Sequence, residues 1–171
     1  YIRHAQSSNN ALYRLTSSYA GRDEDPGLTE LGLIQAERVA DYLAHGNDTN
    51  PSVPPEKHGP GLGLTHLYTS LMVRAVLTAR EIARQTGLRL FAWRELHEGG
   101  GIYQFDVETG QPIGLAGKPR RYFTQCFPEL VLPEDLDEAG WWNRPYENRE
   151  ERRERARGVL MELLRRHGNS D

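Results

Sequence analysis

Leu64-Thr65-His66-Leu67-Tyr68-Thr69-Ser70-Leu71-Met72-Val73-Arg74-Ala75-Val76-Leu77-Thr78-Ala79 is the stretch that decides the fold class. Residues 64–69 read as a buried strand, and Ser70 is placed to cap a following helix. In that helix Leu71, Ala75, Thr78, Ala79 and Ile82 fall on one face, and Gly87 stops it. Leu88 to Trp93 has the composition of a second strand. Strand, helix and strand in that order predict a parallel βαβ unit. Upstream, Leu33, Ala36, Ala40 and Leu43 recur at helical spacing after the turn Asp25-Pro26-Gly27, and Gly46 ends the run. Residues 46–63 are rich in Pro, Gly and Asn without periodicity and predict a long flexible loop. Residues 99–146, rich in Gly, Pro and aromatics, predict an insertion over the site with short hairpins, one turning at Glu108-Thr109-Gly110. A last helix is predicted from about Glu147 to His167, stopped by Gly168. Its Glu/Arg-rich first half should face solvent, with Ala156, Leu160 and Leu163 as the buried stripe.

A chain of 171 residues with 37% apolar and 26% charged residues fits one globular domain, residues 1–171. The net charge of −3 lacks the basic bias of a nucleic-acid-binding domain, so no nucleic-acid partner is expected. No run approaches the ~18 apolar residues of a membrane span, so no membrane partner is expected either. Cys126 is the only cysteine, which excludes an internal disulfide and a multi-cysteine metal site. Arginine far outnumbers lysine, with only Lys57 and Lys118 present, and some arginines are candidates for holding anions. The chain starts Tyr1-Ile2-Arg3 with no room for a full first strand, so it reads as an excerpt. A cytoplasmic location is the expectation; the oligomeric state is not legible.

The chemistry is concentrated at Tyr1-Ile2-Arg3-His4-Ala5-Gln6-Ser7-Ser8-Asn9-Asn10, an Arg-His pair entering a polar loop of small residues. Phosphoryl transfer through a covalent intermediate needs an unprotonated nucleophile and cations around the equatorial oxygens. Imidazole suits the first need, and the guanidinium fork suits the second. Further segments follow in order: Leu28-Thr29-Glu30-Leu31-Gly32 with Gln35-Ala36, Ser70 to Ala79 with Arg74 and Thr78, and Leu96-His97-Glu98 with Gly101. In order and rough spacing these resemble the histidine phosphatase, or phosphoglycerate-mutase-like, superfamily. Its motifs are an Arg-His-Gly box with Asn seven residues after the Arg, Leu-Thr-x-x-Gly-x-x-Gln-Ala, Ser-x-x-x-Arg-Ala-x-x-Thr-Ala, and Leu-x-Glu. The match runs from the first residue to about Gly101.

The resemblance implies a three-layer α/β/α sandwich with a mainly parallel sheet and the site at the C-terminal ends of its strands. It implies hydrolysis of a small phosphorylated metabolite through a phosphohistidine on His4, in the manner of a histidine acid phosphatase, with no metal or organic cofactor. Arg3, Asn10 and Arg74 would bind phosphate, and Glu98 would be the general acid and base. Position 5 is Ala where the family has Gly. The family's second His, in a Ser-His-Gly context after a late strand, has no match here. His167 reads instead as a helix C-terminal contact, and the chain is expected to lack its C-terminal part.

A phosphoglycerate mutase and a non-catalytic anion-binding member are the competing readings. Glu95 competes with Glu98 for the acid role. Thr29, Gln35, Thr78 and Ala79 read as structural, and Trp141-Trp142 as anchors to the core rather than pocket lining. His45, His58 and His66 read as surface or filler. Lys118, Arg120 and Arg121 read as a solvated loop or as a second anion contact.

Overall fold

The computed structural model describes residues 1–46 and 61–168. The predicted loop at 46–63 lies almost wholly outside the described residues. Among them the elements are α1 (Ser8–Thr16), α2 (Glu30–His45), β1 (Leu67–Thr69), α3 (Val73–Thr86), β2 (Leu90–Ala92), β3 (Tyr103–Phe105), β4 (Pro112–Gly114), α4 (Arg120–Cys126) and α5 (Arg149–His167).

The βαβ reading holds. β1 and β2 pair in parallel with Leu67 opposite Leu90 and Thr69 opposite Ala92, and α3 is the crossover between them. Val131 extends this pairing beyond β2 through Ala92 N–H to its carbonyl (2.9 Å) and its own N–H to Leu90 O (2.9 Å). Both strands are shorter than predicted, because only the last three residues of the first and the central three of the second pair with each other. β3 and β4 form a separate antiparallel hairpin. Its turn falls where Glu108-Thr109-Gly110 predicted it: the Asp106 carboxylate accepts the Glu108 and Thr109 N–H groups, and Gly110 takes φ +67°. The architecture is therefore a mixed α/β one with small sheets, and parallel pairing among the described residues is confined to the β1–β2 region.

The core gathers Leu71, Val76, Leu90, Ile102, Phe123, Phe127, Leu136, Trp141 and Trp142. The two tryptophans are anchors, as expected. A smaller cluster joins Ala40 and Leu43 of α2 to Ile82 of α3, where the alanines let the helices approach closely. α2 buries Gly32, Ala36, Ala40 and Leu43, so Gly32 takes the inward place assigned to Leu33, which is exposed. α3 begins two residues later than expected. Ser70 is buried and makes no cap; Met72 holds the cap position, and the Asp25 carboxylate accepts the Val73 N–H instead (2.9 Å). A capping oxygen supplied from 48 residues away is invisible to a local reading of the helix start.

α1 was not foreseen. Ser7 and Asn10 form a reciprocal cap at its start, and Ser17 ends it in the left-handed region (φ 54°). α5 is capped by Asn148 and Glu151 and is capped and stopped near the predicted bounds. Of its expected stripe only Leu163 turns inward: Leu160 and Ala156 are exposed, and Arg155 and Val159 are half-buried instead. The element that α5 packs on is the turn 94–96, whose backbone carbonyl at Glu95 accepts from Arg155 (2.7 Å), so polar rather than apolar partners set its register. No helix among the described residues is long and apolar enough to cross a membrane.

Gly32 matters because α2 begins against the segment that carries His4. A Cβ at position 32 would overlap the Gln6 carbonyl oxygen. Gly32→Ala should therefore cost about 1–3 kcal/mol in urea unfolding, as overpacking does. The ~0.5–1 kcal/mol gain usual for Gly→Ala inside a helix would contradict this packing.

Candidate active site

Residues 1–6 belong to no helix or strand and are held by side chains. Ala5 N–H donates to Thr78 Oγ1 of α3 (3.1 Å), and Gln6 N–H donates to Gln35 Oε1 of α2 (2.9 Å). Thr29, the N-cap of α2, donates its N–H to Gln6 O (3.0 Å) and its hydroxyl to Gln6 Oε1 (2.8 Å). Thr29, Gln35 and Thr78 are thus structural, as read, and the structure they impose is the position of His4.

His4 Nδ1 lies 2.7 Å from Ala5 O, an acceptor, so it carries the ring proton. Arg74 Nε donates to His4 Nε2 at 3.1 Å. Together these contacts assign the neutral Nδ1–H form, with the Nε2 lone pair turned to the Arg74 guanidinium. Arg74 leaves the first turn of α3, just past the C-terminal end of β1, and is buried. It also donates to Glu98 Oε2 (2.9 Å) and to Met72 Sδ (3.0 Å), and its Nη1 stands 3.7 Å from Asp25 Oδ1.

Glu98 follows β2 and lies 3.6 Å from His4 Nε2. The Arg74 guanidinium, 2.9 Å away, favours its ionised form. Glu95, the competing acid, faces away toward Arg144 and His97. The segment bearing Glu98 is itself clamped. His97 is buried against Trp142, its Nδ1 meeting Glu98 O (2.8 Å) and its Nε2 meeting Arg144 (3.3 Å). Burial lowers the proton affinity of His97, in keeping with the neutral ring this pattern requires. Glu147, paired to Arg155 (2.5 Å), accepts the Gly100 N–H (3.4 Å).

One pocket of about 340 Å³ joins these groups, within the ~300–1,000 Å³ usual for small-ligand sites. Arg3, His4, Asn10, Arg74 and Glu98 all line it, so every predicted site residue is brought to one place. Arg3 is exposed and meets no carboxylate within ion-pair distance among the described residues. Asn10 spends its Oδ1 on Ser7 in the α1 cap, which leaves its amide nitrogen for a ligand. The first turn of α1 lines the pocket through Ser7, Asn9 and Asn10, and a helix N-terminus favours an anion.

Lys118, Arg120 and Arg121 do not line this pocket. Arg120 is bound to the Pro133 and Leu136 carbonyls and Arg121 pairs with Glu138, so the second-anion reading of that cluster is withdrawn. His167 meets the Tyr68 hydroxyl (3.2 Å) and the His66 ring rather than closing the helix end. Among the described residues no group of three or more His, Cys, Asp or Glu is arranged to hold a metal. The sequence reading missed Asp25, taken only as part of a turn, and the wall formed by Tyr13, Tyr19, Arg22 and Tyr103.

No family model matches the chain, and no curated protein matches it in sequence. Solved structures do. A mycobacterial glucosyl-3-phosphoglycerate phosphatase superposes with TM-score 0.51 at 18% identity, over 96% of this chain and 62% of that one. A protein described as mycobacterial hydrolase 1 superposes with TM-score 0.50 at 20% identity, over 99% of this chain and 67% of that one. The chain shares the fold of these two proteins, and it spans about two thirds of their length.

Burial raises the Asp25 carboxyl from 3.8 to about 6, and its Oδ2 has no hydrogen-bond partner among the described residues. A raised acid favours the folded state while protonated, and that contribution is lost as pH climbs from about 4 through about 6. Asp25→Asn keeps an acceptor for Val73 N–H and never ionises. Its stability relative to the parent should therefore rise between pH 4 and pH 7, by up to about 3 kcal/mol in urea unfolding. A difference independent of pH would refute a buried, strained carboxyl.

Proposed function

We propose that this chain carries the nucleophile, acid and phosphate clamp of a phosphoric monoester hydrolase of the histidine phosphatase type. One observation supports it above others: His4 Nε2, unprotonated, sits 3.1 Å from Arg74 Nε and 3.6 Å from the Glu98 carboxylate. A nucleophile, a phosphate-binding cation and an acid–base group meet there within reach of one phosphorus atom.

In this reading Arg3, Arg74 and the Asn10 amide hold the equatorial oxygens of a small phosphorylated metabolite. His4 Nε2 forms a bond to phosphorus as the ester P–O bond breaks, and the departing alkoxide takes a proton from Glu98. Water then yields a proton to Glu98 and attacks phosphorus, the P–N bond breaks, and its electron pair returns to Nε2. Glu98 is a carboxylate while it pairs with Arg74. A bound phosphate dianion competes for that guanidinium and places like charge beside the carboxyl, which raises its proton affinity when the acid is needed. The finer architecture belongs to the same proposal: β1 and β2 supply the parallel pair of a three-layer α/β/α sandwich.

His4→Ala should abolish phosphate release and the trapped phosphoenzyme. Arg74→Ala should lower turnover about 10²–10³-fold, the loss typical of one preorganised charge contact. Glu98→Gln should slow hydrolysis of an alkyl phosphate far more than that of 4-nitrophenyl phosphate, whose leaving group needs little protonation. Turnover undiminished in His4→Ala overturns the proposal.

A further inference from the structure

Tyr13, Tyr19, Arg22 and Tyr103 line the same pocket as His4, Arg74 and Glu98. Arg22 lies in the connection from α1 to α2. Its guanidinium stacks 4.1 Å above the Tyr103 ring and donates Nη1–H to Tyr103 O (3.3 Å). Stacking and that bond fix the plane of the fork, and a fixed fork loses little freedom on binding an anion. No carboxylate lies within ion-pair distance of Arg22, and its Nε and Nη2 have no partner among the described residues. Asp23, its neighbour in sequence, turns its Oδ1 to the Asp25 N–H instead (3.0 Å).

The charge count of the pocket is lopsided. Arg3, Arg22 and Arg74 line it against one carboxylate, Glu98. Once Glu98 holds the proton it donates, a phosphomonoester dianion offsets two of the three guanidinium charges, and one positive charge remains in the pocket. Beside Arg22, Tyr13 and Tyr19 stack on each other at 4.7 Å and stay 46% and 57% exposed. Such rings offer flat apolar faces at the mouth of a polar pocket, the arrangement that holds a ring-bearing ligand.

We propose that this wall is the leaving-group subsite and that it selects phosphomonoesters whose alcohol carries a ring and a second anionic group, held by Arg22. The inference rests on the phosphate-pocket reading above. It assigns specificity to Arg22 and the tyrosine pair rather than to Lys118, Arg120 and Arg121.

Binding of benzylphosphonate and 4-carboxybenzylphosphonate, measured by calorimetry, tests it without requiring turnover. The carboxylated compound should bind the parent protein at least about tenfold more tightly, the effect of one hydrogen bond to a charged group. That ratio should fall to near one in Arg22→Gln and be partly kept in Arg22→Lys, with circular dichroism confirming that both variants fold. Equal affinity for the two compounds in the parent protein overturns the subsite, and so does a preference that survives in Arg22→Gln. Failure of both compounds to bind overturns the phosphate pocket itself, which separates the two readings.

Discussion

The backbone of Ala5 and Gln6 hangs between two helices by hydrogen bonds to side chains, and the site depends on that suspension. Thr78 of α3 takes the Ala5 N–H; Gln35 of α2 takes the Gln6 N–H; Thr29 returns its own N–H to Gln6 O. Each anchor sits on a helix fixed by the α2–α3 packing of Ala40, Leu43 and Ile82. Gly32 has no side chain because the Gln6 carbonyl occupies that space. His4, on an otherwise irregular segment, is thereby tied to the helical layer.

Arg74 is the second organising element, since its guanidinium meets every other reactive group. It donates to His4 and Glu98 on the pocket side, and Asp25 stands behind it. Asp25 stabilises that buried cation and takes the α3 N-terminal Val73 N–H, so one carboxylate fixes both the helix start and the clamp. The arrangement costs burial of an under-satisfied oxygen, seen in the raised Asp25 carboxyl. Strain of this kind is expected where groups are held for binding rather than for stability. The leverage on Glu98 is indirect: His97, wedged between Trp142 and Arg144, and Glu147 with Arg155 hold the loop that presents it.

What the sequence made legible follows from how local each signal is. The βαβ unit, the glycine stops of α2 and α3 and the Asp106–Gly110 turn rest on neighbouring residues, and all were readable. His4, Arg74 and Glu98 stood out because their types and spacing resemble a family's motifs, and the structure brings them to one pocket. α1 was missed: its nine residues bury nothing, so no apolar periodicity marked it, and the Ser7–Asn10 cap was the only available signal. The α5 stripe was misread because the helix packs on a polar turn through Arg155, where hydrophobic periodicity carries no information. Asp25 reaches Val73 and Arg22 reaches Tyr103 across tens of residues, contacts that only the folded chain brings together.

On the proposed mechanism His4 Nε2 is the free nucleophilic nitrogen of a neutral ring. Two-bond ¹H–¹⁵N correlation spectra of the histidine rings, assigned with His4→Ala, measure this directly near neutral pH. The account predicts a protonated, pyrrole-like Nδ1 and an unprotonated, pyridine-like Nε2 for His4. A proton on Nε2, in either the reversed tautomer or the imidazolium, would contradict it.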